Sequence, residues 1–356
     1  MTTTIRGFDD DASPDELAEH QAQEDAADRS PMRSLEGEGG QPVGAGWLVE
    51  KPPAVEWFLR IQGEREPVGV MPVGTVGMLN APGGSGKTFA LTQLAIATAT
   101  GRPWFGRGGW EVARPGRVFL GMGEEDRDMI RRRLRKGLVH LAQSTGADFD
   151  TLAREAGERI VVPPFRGMGI ALMGREDRTE WADQLSEWLK DNGPWSLIIL
   201  DPLSRWGGPD VETDNHAATR AVELLESLTL TDDKPVVMVA HHTRKPSKDS
   251  TGLDQHSARG ASALVDGARW VGVLERNDDD RRCLKVVKVS HAKRPDPLAL
   301  LTEQDTAKGG CFSVASAAQV KARHVKGDEW AGLPPADATP KADAKGAAIV
   351  GKYGNP

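Results

Sequence analysis

The chain has 356 residues, with 45 basic against 52 acidic side chains, a net charge of −7 and a sequence pI near 5.7. That length allows one large domain or two small ones, either able to bury a substantial core. Two cysteines, Cys283 and Cys311, exclude a disulfide scaffold and a cysteine-rich zinc site, and no apolar run approaches the ~18 residues of a membrane span.

The charge is unevenly distributed. Residues 1–40 hold eleven acids and three bases, a charge of −8, so the other 316 residues carry +1. A nearly neutral body with local basic stretches is compatible with a nucleic-acid partner, where an acidic total would argue against one. Hydrophobic residues are 38% of the chain and glycine plus proline number 63, so part of it is expected to lie outside a packed core. Residues 1–45 read as an acidic, disordered, solubilising tail. Residues 46–320 read as the folded body, and 321–356, rich in Ala, Pro, Lys and Asp, as a second disordered tail. The opening MTTTIRGFDDDASPDE has no hydrophobic signal region. The expectation is a soluble protein of a reducing compartment, the cytoplasm.

In chain order, VGTVGML (73–79) is a candidate strand, followed by APGGSGKT and an apolar helical stretch. Gly83, Gly84 and Gly86 let the backbone curl until successive amides, Ser85 among them, face one anion. The helix beginning near Lys87 adds its positive dipole end. In that arrangement Lys87 reaches the β- and γ-phosphates of ATP, and the Thr88 hydroxyl ligates Mg²⁺. Ala81 stands at the position that only closes the turn. RVFLGM (117–122) is a second strand, with Glu124 and Glu125 just beyond it. Hydrolysis needs a carboxylate to orient water beside the γ-phosphate. Glu124 is the first choice and Glu125 the reserve; acids also favour a helix start, which EEDRD resembles. The basic helix RDMIRRRLRKG follows, with Arg133 a candidate nucleotide or subunit contact.

The segment TEWADQLSEWLKDN puts Trp181, Leu185, Trp188 and Leu189 on one helical stripe. WSLIIL (195–200) is a buried strand ending in Asp201. An aspartate at a strand's carboxyl end, where open α/β sheets bind ligands, suits Mg²⁺ held through water. In the next helix Ala221, Leu224, Leu225 and Leu228 form a stripe. The strand PVVMVAH (235–241) then ends at His241 and His242. Adjacent histidines cannot easily share a zinc ion; one at the ligand edge could hydrogen-bond a γ-phosphate or simply be structural. The long polar stretch from Thr243 carries Arg244, Lys245, Lys248 and Arg259, cations able to grip the phosphates of one DNA strand. PLSRWGGPDVETDN is a second candidate loop for contacting that strand, with Arg205 and Trp206 available. RWVGVLER (269–276), RCLKVVKVS (282–290) and CFSVAS (311–316) follow as consecutive strands, with a hairpin signal at 277–280. Strands apolar on both faces alternating with amphipathic helices give an α/β class. Its sheet is mostly parallel, flanked by helices, with an antiparallel C-terminal extension.

The ordered set APGGSGKT, GEED, LIILDPLSR, VVMVAHHTRK, ARGASALVDGARW and VVKVSHAKR resembles the RepA-like replicative helicases of plasmids and phages. These are hexameric ATPases of the RecA/DnaB superfamily. The resemblance covers about residues 70–295. It implies a RecA-like P-loop core and matches Lys87 and Thr88 to phosphate and metal residues. It matches Glu124 to the catalytic glutamate, Asp201 to the metal aspartate and His242 to a γ-phosphate or DNA-state sensor. Arg269 matches an arginine finger inserted into a neighbour's site, although by itself it could equally be a structural ion-pair partner. The last strand departs from the family: Ser290-His291-Ala292-Lys293-Arg294 stands where a Ser-Lys-x-Asn type sequence is usual, which leaves His291, Lys293, Arg294 or none of them to act in trans.

The expected function is that of a Mg²⁺-ATP-dependent, ring-forming motor on single-stranded DNA. The partners it implies are further copies in a ring, a hexamer by the resemblance, and a replication initiator or primase. A RecA-like recombination mediator and a nucleotide-switched assembly protein are the alternatives.

Overall fold

The computed structural model describes residues 40–63, 65–242, 262–276, 281–302, 311–316 and 319. The C-terminal tail, residues 1–39 of the N-terminal tail, the hairpin signal at 277–280 and the cationic stretch with Arg244, Lys245, Lys248 and Arg259 lie outside them. The chain divides into two units, Met1–Ala54 and Val55–Pro356. In the first, helix α1 (Gly44–Val49) buries none of its residues.

The second unit is built on nine strands. In chain order they are β3 (Val76–Ala81), β5 (Arg117–Met122), β6 (Ile160–Val161), β7 (Trp195–Asp201), β8 (Val236–His242), β9 (Trp270–Arg276), β10 (Arg281–Val289), β11 (Leu298–Thr302) and β12 (Phe312–Val314). Their order across the sheet is β12-β11-β10-β9-β3-β8-β7-β5-β6. From β9 to β6 all neighbours are parallel, and from β9 to β12 all are antiparallel. The fold is thus α/β, a mostly parallel sheet flanked by helices with an antiparallel C-terminal extension. A separate antiparallel sheet, β2-β1-β4, is formed by β1 (Trp57–Ile61), β2 (Val68–Pro72) and β4 (Glu111–Val112).

Strands β3 and β7 are buried at every residue, so alternation serves two cores rather than a core and solvent. Leu197 and Ile199 of β7 join one core; Ile198 and Leu200 join the other. The first core takes helices α2 (Lys87–Thr100), α3 (Arg127–Thr145) and α4 (Phe149–Arg159) together with the small sheet. The second takes α5 (Glu180–Asp191), the short α6 (Leu203–Trp206), α7 (Asn215–Ser227) and α8 (Ser262–Gly267). Helix α2 is buried almost all round, which explains its run of Ala and Thr: small side chains let a helix lie close against strands. Side-chain caps fix several starts, with Asp126, Thr179 and Asp214 accepting from the backbone N–H groups of Met129, Ala182 and Ala217.

The strand expected over 73–79 begins later, at Val76. Gly74 turns the chain at φ 63 and donates to the Lys234 carbonyl, which separates β2 from β3. Aromatic side chains join the extension to the first core: the Trp110 and Trp270 ring centroids are 6.4 Å apart, those of Phe105 and Phe312 6.3 Å. Among the described residues no helix is long and apolar enough to cross a membrane.

Candidate nucleotide site

The site lies at the carboxyl ends of β3, β7 and β8. The turn after β3 is closed by the Ser85 N–H donating to the Pro82 carbonyl, at 3.2 Å. Gly84 has φ 75, and Gly86, at φ 98, is the N-cap of α2 with no side-chain cap. Glycine adopts such left-handed backbone without strain. Gly86 is constrained twice over, since a Cβ there would stand 2.5 Å from Phe312 Cζ. The uncapped amides of α2 are free of side-chain competition for an anion.

Lys87 and Thr88 open this helix, and two neighbouring strands meet them. The Thr88 hydroxyl donates to Asp201 Oδ2 at 2.7 Å. The Lys87 ammonium donates to the Ala81 carbonyl at 2.9 Å and lies 3.1 Å from His242 Nδ1. Strand parity accounts for the meeting. Asp201 and His242 follow Ile199 and Ala240 on the face that α2 covers.

Burial governs the electrostatics. It lowers the Lys87 pKa to about 8 against the opposing pull of Asp201, Glu124 and Glu212. It raises Asp201 to about 6 although the Thr88 hydroxyl and Lys87 favour its anion. It also lowers His242, helped by the Lys87 charge, so the imidazole is a neutral acceptor for that ammonium. The cluster holds a compressed cation and a compressed anion, the condition a charged ligand with a counter-ion would relieve.

The two glutamates after β5 separate. Glu125 is held by Arg133, whose Nε donates to Oε2 at 2.6 Å and whose Nη2 donates to Oε1. That guanidinium also lies 4.2 Å from the Phe89 ring centroid, next to Thr88. The fork of Arg133 is therefore engaged within the chain rather than offered to a nucleotide or a neighbour. Glu124 is solvent-facing, 3.8 Å from Arg205 Nε. The backbone between β5 and Glu124 is tied to β7 by the Gly123 N–H donating to the Asp201 carbonyl, at 2.8 Å.

Arg269 is not part of this cluster. It is exposed at the start of β9, its N–H donating to the Val76 carbonyl at the opposite end of β3 from the phosphate turn. Five residues of strand put it roughly 17 Å from that turn. The Ser290 N–H donates to the Arg269 carbonyl, so the run Ser290-His291-Ala292-Lys293-Arg294 starts at the same edge. Trp206 corrects an expectation: it is fully buried in the second core and unavailable as a DNA contact. Its short helix packs the ring under the sheet, and only Arg205 of that pair is exposed.

Three residues of the site gave no signal in the sequence. Arg282 of β10 is buried, and its Nε donates to the Ser85 carbonyl at 3.0 Å, steadying the phosphate turn from the antiparallel side. Phe312 of β12 packs on Gly86, its backbone clamped by Gln93 through two 2.8 Å hydrogen bonds. Glu212, between α6 and α7, faces His241 at 3.4 Å and bears on both Lys87 and His242.

As a fit for Mg²⁺, the Thr88 hydroxyl and Asp201 carboxylate are hard oxygens already in contact. Among the described residues no cluster of three or more His, Cys, Asp or Glu forms a cage. That suits an ion completed by phosphate oxygens and water.

A glycine turn between a buried strand and a helix, with Lys-Thr at the helix start and an aspartate at a neighbouring strand's end, defines a P-loop NTPase. Residues 39–248, more than half of the chain, match the AAA domain family. The chain belongs to that family. It is also similar to a solved structure described as the ATPase Domain of G40P. The identity is 12% and the TM-score 0.47, over 67% of this chain and 84% of that one.

Proposed function

We propose that the protein is a Mg²⁺-dependent ATPase working as a ring-forming motor on single-stranded DNA, a replicative helicase of a mobile element. The observation that carries the reading is the convergence of Lys87, Thr88, Asp201 and His242 at one sheet edge, with the solvent-facing Glu124 beside them. The amides of residues 83–88 and the Lys87 ammonium bind the triphosphate. Thr88 and Asp201 would hold the Mg²⁺, which would offset negative charge on the triphosphate. Glu124 orients a water for in-line attack on the γ-phosphorus, and the bond to the β–γ bridging oxygen breaks to release ADP. Once the triphosphate takes up the Lys87 ammonium, an imidazole N–H of His242 donates to a γ-phosphate oxygen and so registers its loss.

Arg269 is too far from its own phosphate turn to act there, which supports a role in the site of the next subunit of a hexameric ring. The cations Arg244, Lys245, Lys248 and Arg259 track the DNA backbone, and a primase or replication initiator is the expected loading partner. Arg269 would bring its permanent, forked charge to the developing γ-phosphate negativity.

ATP turnover with and without single-stranded DNA tests the reading. Wild type is expected to be DNA-stimulated and to separate a forked duplex, and Lys87→Ala to be inactive. DNA-dependent turnover with strand exchange but no unwinding would replace the helicase by a recombination mediator. Nucleotide binding without DNA stimulation would leave a nucleotide-switched assembly protein.

A further inference from the structure

Strand β8 ends in two histidines whose side chains leave on opposite faces of the sheet. His242 follows Met238 and Ala240 onto the face of α2 and meets Lys87. His241 follows Val237 and Val239 onto the other face. It is fully buried there, with Nδ1 3.4 Å from Glu212 Oε1. A third polar group shares that face. Asn80 of β3 is in register with His241, so the two side chains stand side by side. Asn80 is also fully buried, and neither its amide nitrogen nor its amide oxygen has a hydrogen-bond partner among the described residues.

An unpaired buried amide is costly, and a chain that keeps one needs a reason. A hydrophobic side chain would fill this position between Met78 and the second core without that cost. Glu212, meanwhile, is in the turn between α6 and α7, on the same face as Trp206 and Val211. Its carboxylate raises the proton affinity of both Lys87 and His242. It is therefore close enough to the nucleotide edge to sense charge there, while its backbone leads directly into α7.

We propose that Glu212, His241 and Asn80 form a positioning relay through the sheet, by which occupancy of the nucleotide site is passed to the 207–214 turn and α7. With Lys87 on His242, the end of β8 holds His241 toward Glu212. When a triphosphate draws the Lys87 ammonium away, His242 and the strand end shift. His241 then turns from Glu212 to the vacant Asn80 amide one strand over, and Glu212 is released with its turn. The same backbone carries both histidines, so a movement on one face has to appear on the other.

The relay rests on the proposed ATP site, and its test separates the two. The variants are Asn80→Val, Glu212→Gln and their combination. The probe is a non-hydrolysable ATP analogue with Mg²⁺, and the readouts are steady-state turnover and hydrogen exchange of the peptide spanning 207–216. Wild type is expected to change its exchange in that peptide when the analogue binds. Each single variant is expected to lose the change and to lower kcat by about tenfold while the KM for ATP moves much less. The double variant is expected to be no worse than the worse single one, as groups acting in one chain are non-additive. Asn80→Val is expected to melt no lower than wild type, which sets loss of relay apart from loss of fold. A wild-type kcat and a wild-type exchange response to the analogue kept in both single variants, in a protein whose wild type binds and hydrolyses ATP, would overturn the relay and leave the ATPase standing. A wild type that takes up no Mg²⁺-nucleotide would overturn both.

Discussion

Asp201 and Lys87 set the cost of keeping the nucleotide site ready. Burial raises the aspartate to about 6, so between its ordinary value of 3.8 and about 6 the folded chain holds a proton that the unfolded chain has lost. The stability linked to this group therefore falls as pH rises through that window and stays low at neutral pH. Lys87 adds to the cost. Its value is lowered to about 8 from 10.5, so its penalty is complete below pH 8 and is relieved as pH rises toward 10.5. Asp201→Asn in the absence of nucleotide is accordingly expected to be more stable than wild type at pH 7.5, by on the order of 1–3 kcal/mol. The gap should close near pH 4, and Mg²⁺-ATP should stabilise the variant far less than wild type. Thermal melts across pH with and without Mg²⁺-ATP check this; a variant no more stable at pH 7.5 would refute the burial argument. The two glutamates make a second contrast. Glu124→Gln should cut kcat by about 10²–10⁴ with nucleotide affinity kept. Glu125→Gln should act on stability, by about 1–3 kcal/mol, because it breaks the Arg133 fork. Paired ATPase assays and urea titrations would expose an exchange of these roles.

Among the elements, the phosphate turn depends on strands far from it in sequence. Gly86→Ala forces a left-handed backbone on a residue with a Cβ and drives that atom against Phe312. A loss of about 1–3 kcal/mol and of nucleotide binding is expected, and Gly86→Ala with Phe312→Ala should recover little of the binding because the φ of 98° remains. Calorimetric titration of both variants tests which constraint dominates. Burial at β7 can be checked in the same way: Ile199→Ala should lower the urea midpoint by the equivalent of about 2–5 kcal/mol. These elements differed in how far the sequence disclosed them. Strand β5 has the expected bounds, β7 extends one residue further to Asp201, and α5 starts after its Thr179 cap, because apolar runs and capping residues act locally. The small sheet β2-β1-β4 and strand β11 were not legible. Their short runs, WFLRI, VGVMP and LALLT, acquire meaning only from partners elsewhere. Gly74 likewise looks like part of a strand until its φ and its bond to Lys234 show a turn.

At the scale of the whole molecule, the two ends of the parallel sheet have different chemistry. The carboxyl ends hold the phosphate turn, Asp201 and His242. The far edge holds Arg269 and the start of the Ser290–Arg294 run. A ring in which one copy's far edge meets the next copy's turn makes Arg269→Ala inactive alone yet able to serve. Mixing Arg269→Ala with Lys87→Ala subunits should restore turnover, since some boundaries then pair an intact turn with an intact arginine. No recovery across mixing ratios, with assembly verified by sedimentation, would refute a shared site.

The sequence by itself determined the local chemistry: the glycine turn, Lys87 and Thr88, the apolar strands and the capped helices. Each depends on residues close together in the chain, where backbone freedom and hydrophobic period leave a direct trace. Only the tertiary structure decided that Glu125 is occupied by Arg133, that Trp206 is core, and that Arg282 and Phe312 support a turn some two hundred residues earlier. It also decided that the paired histidines of β8 face two different sides. Those outcomes follow from sheet order and strand register, which are set by burial and hydrogen bonding summed over the fold and leave no mark in any one segment.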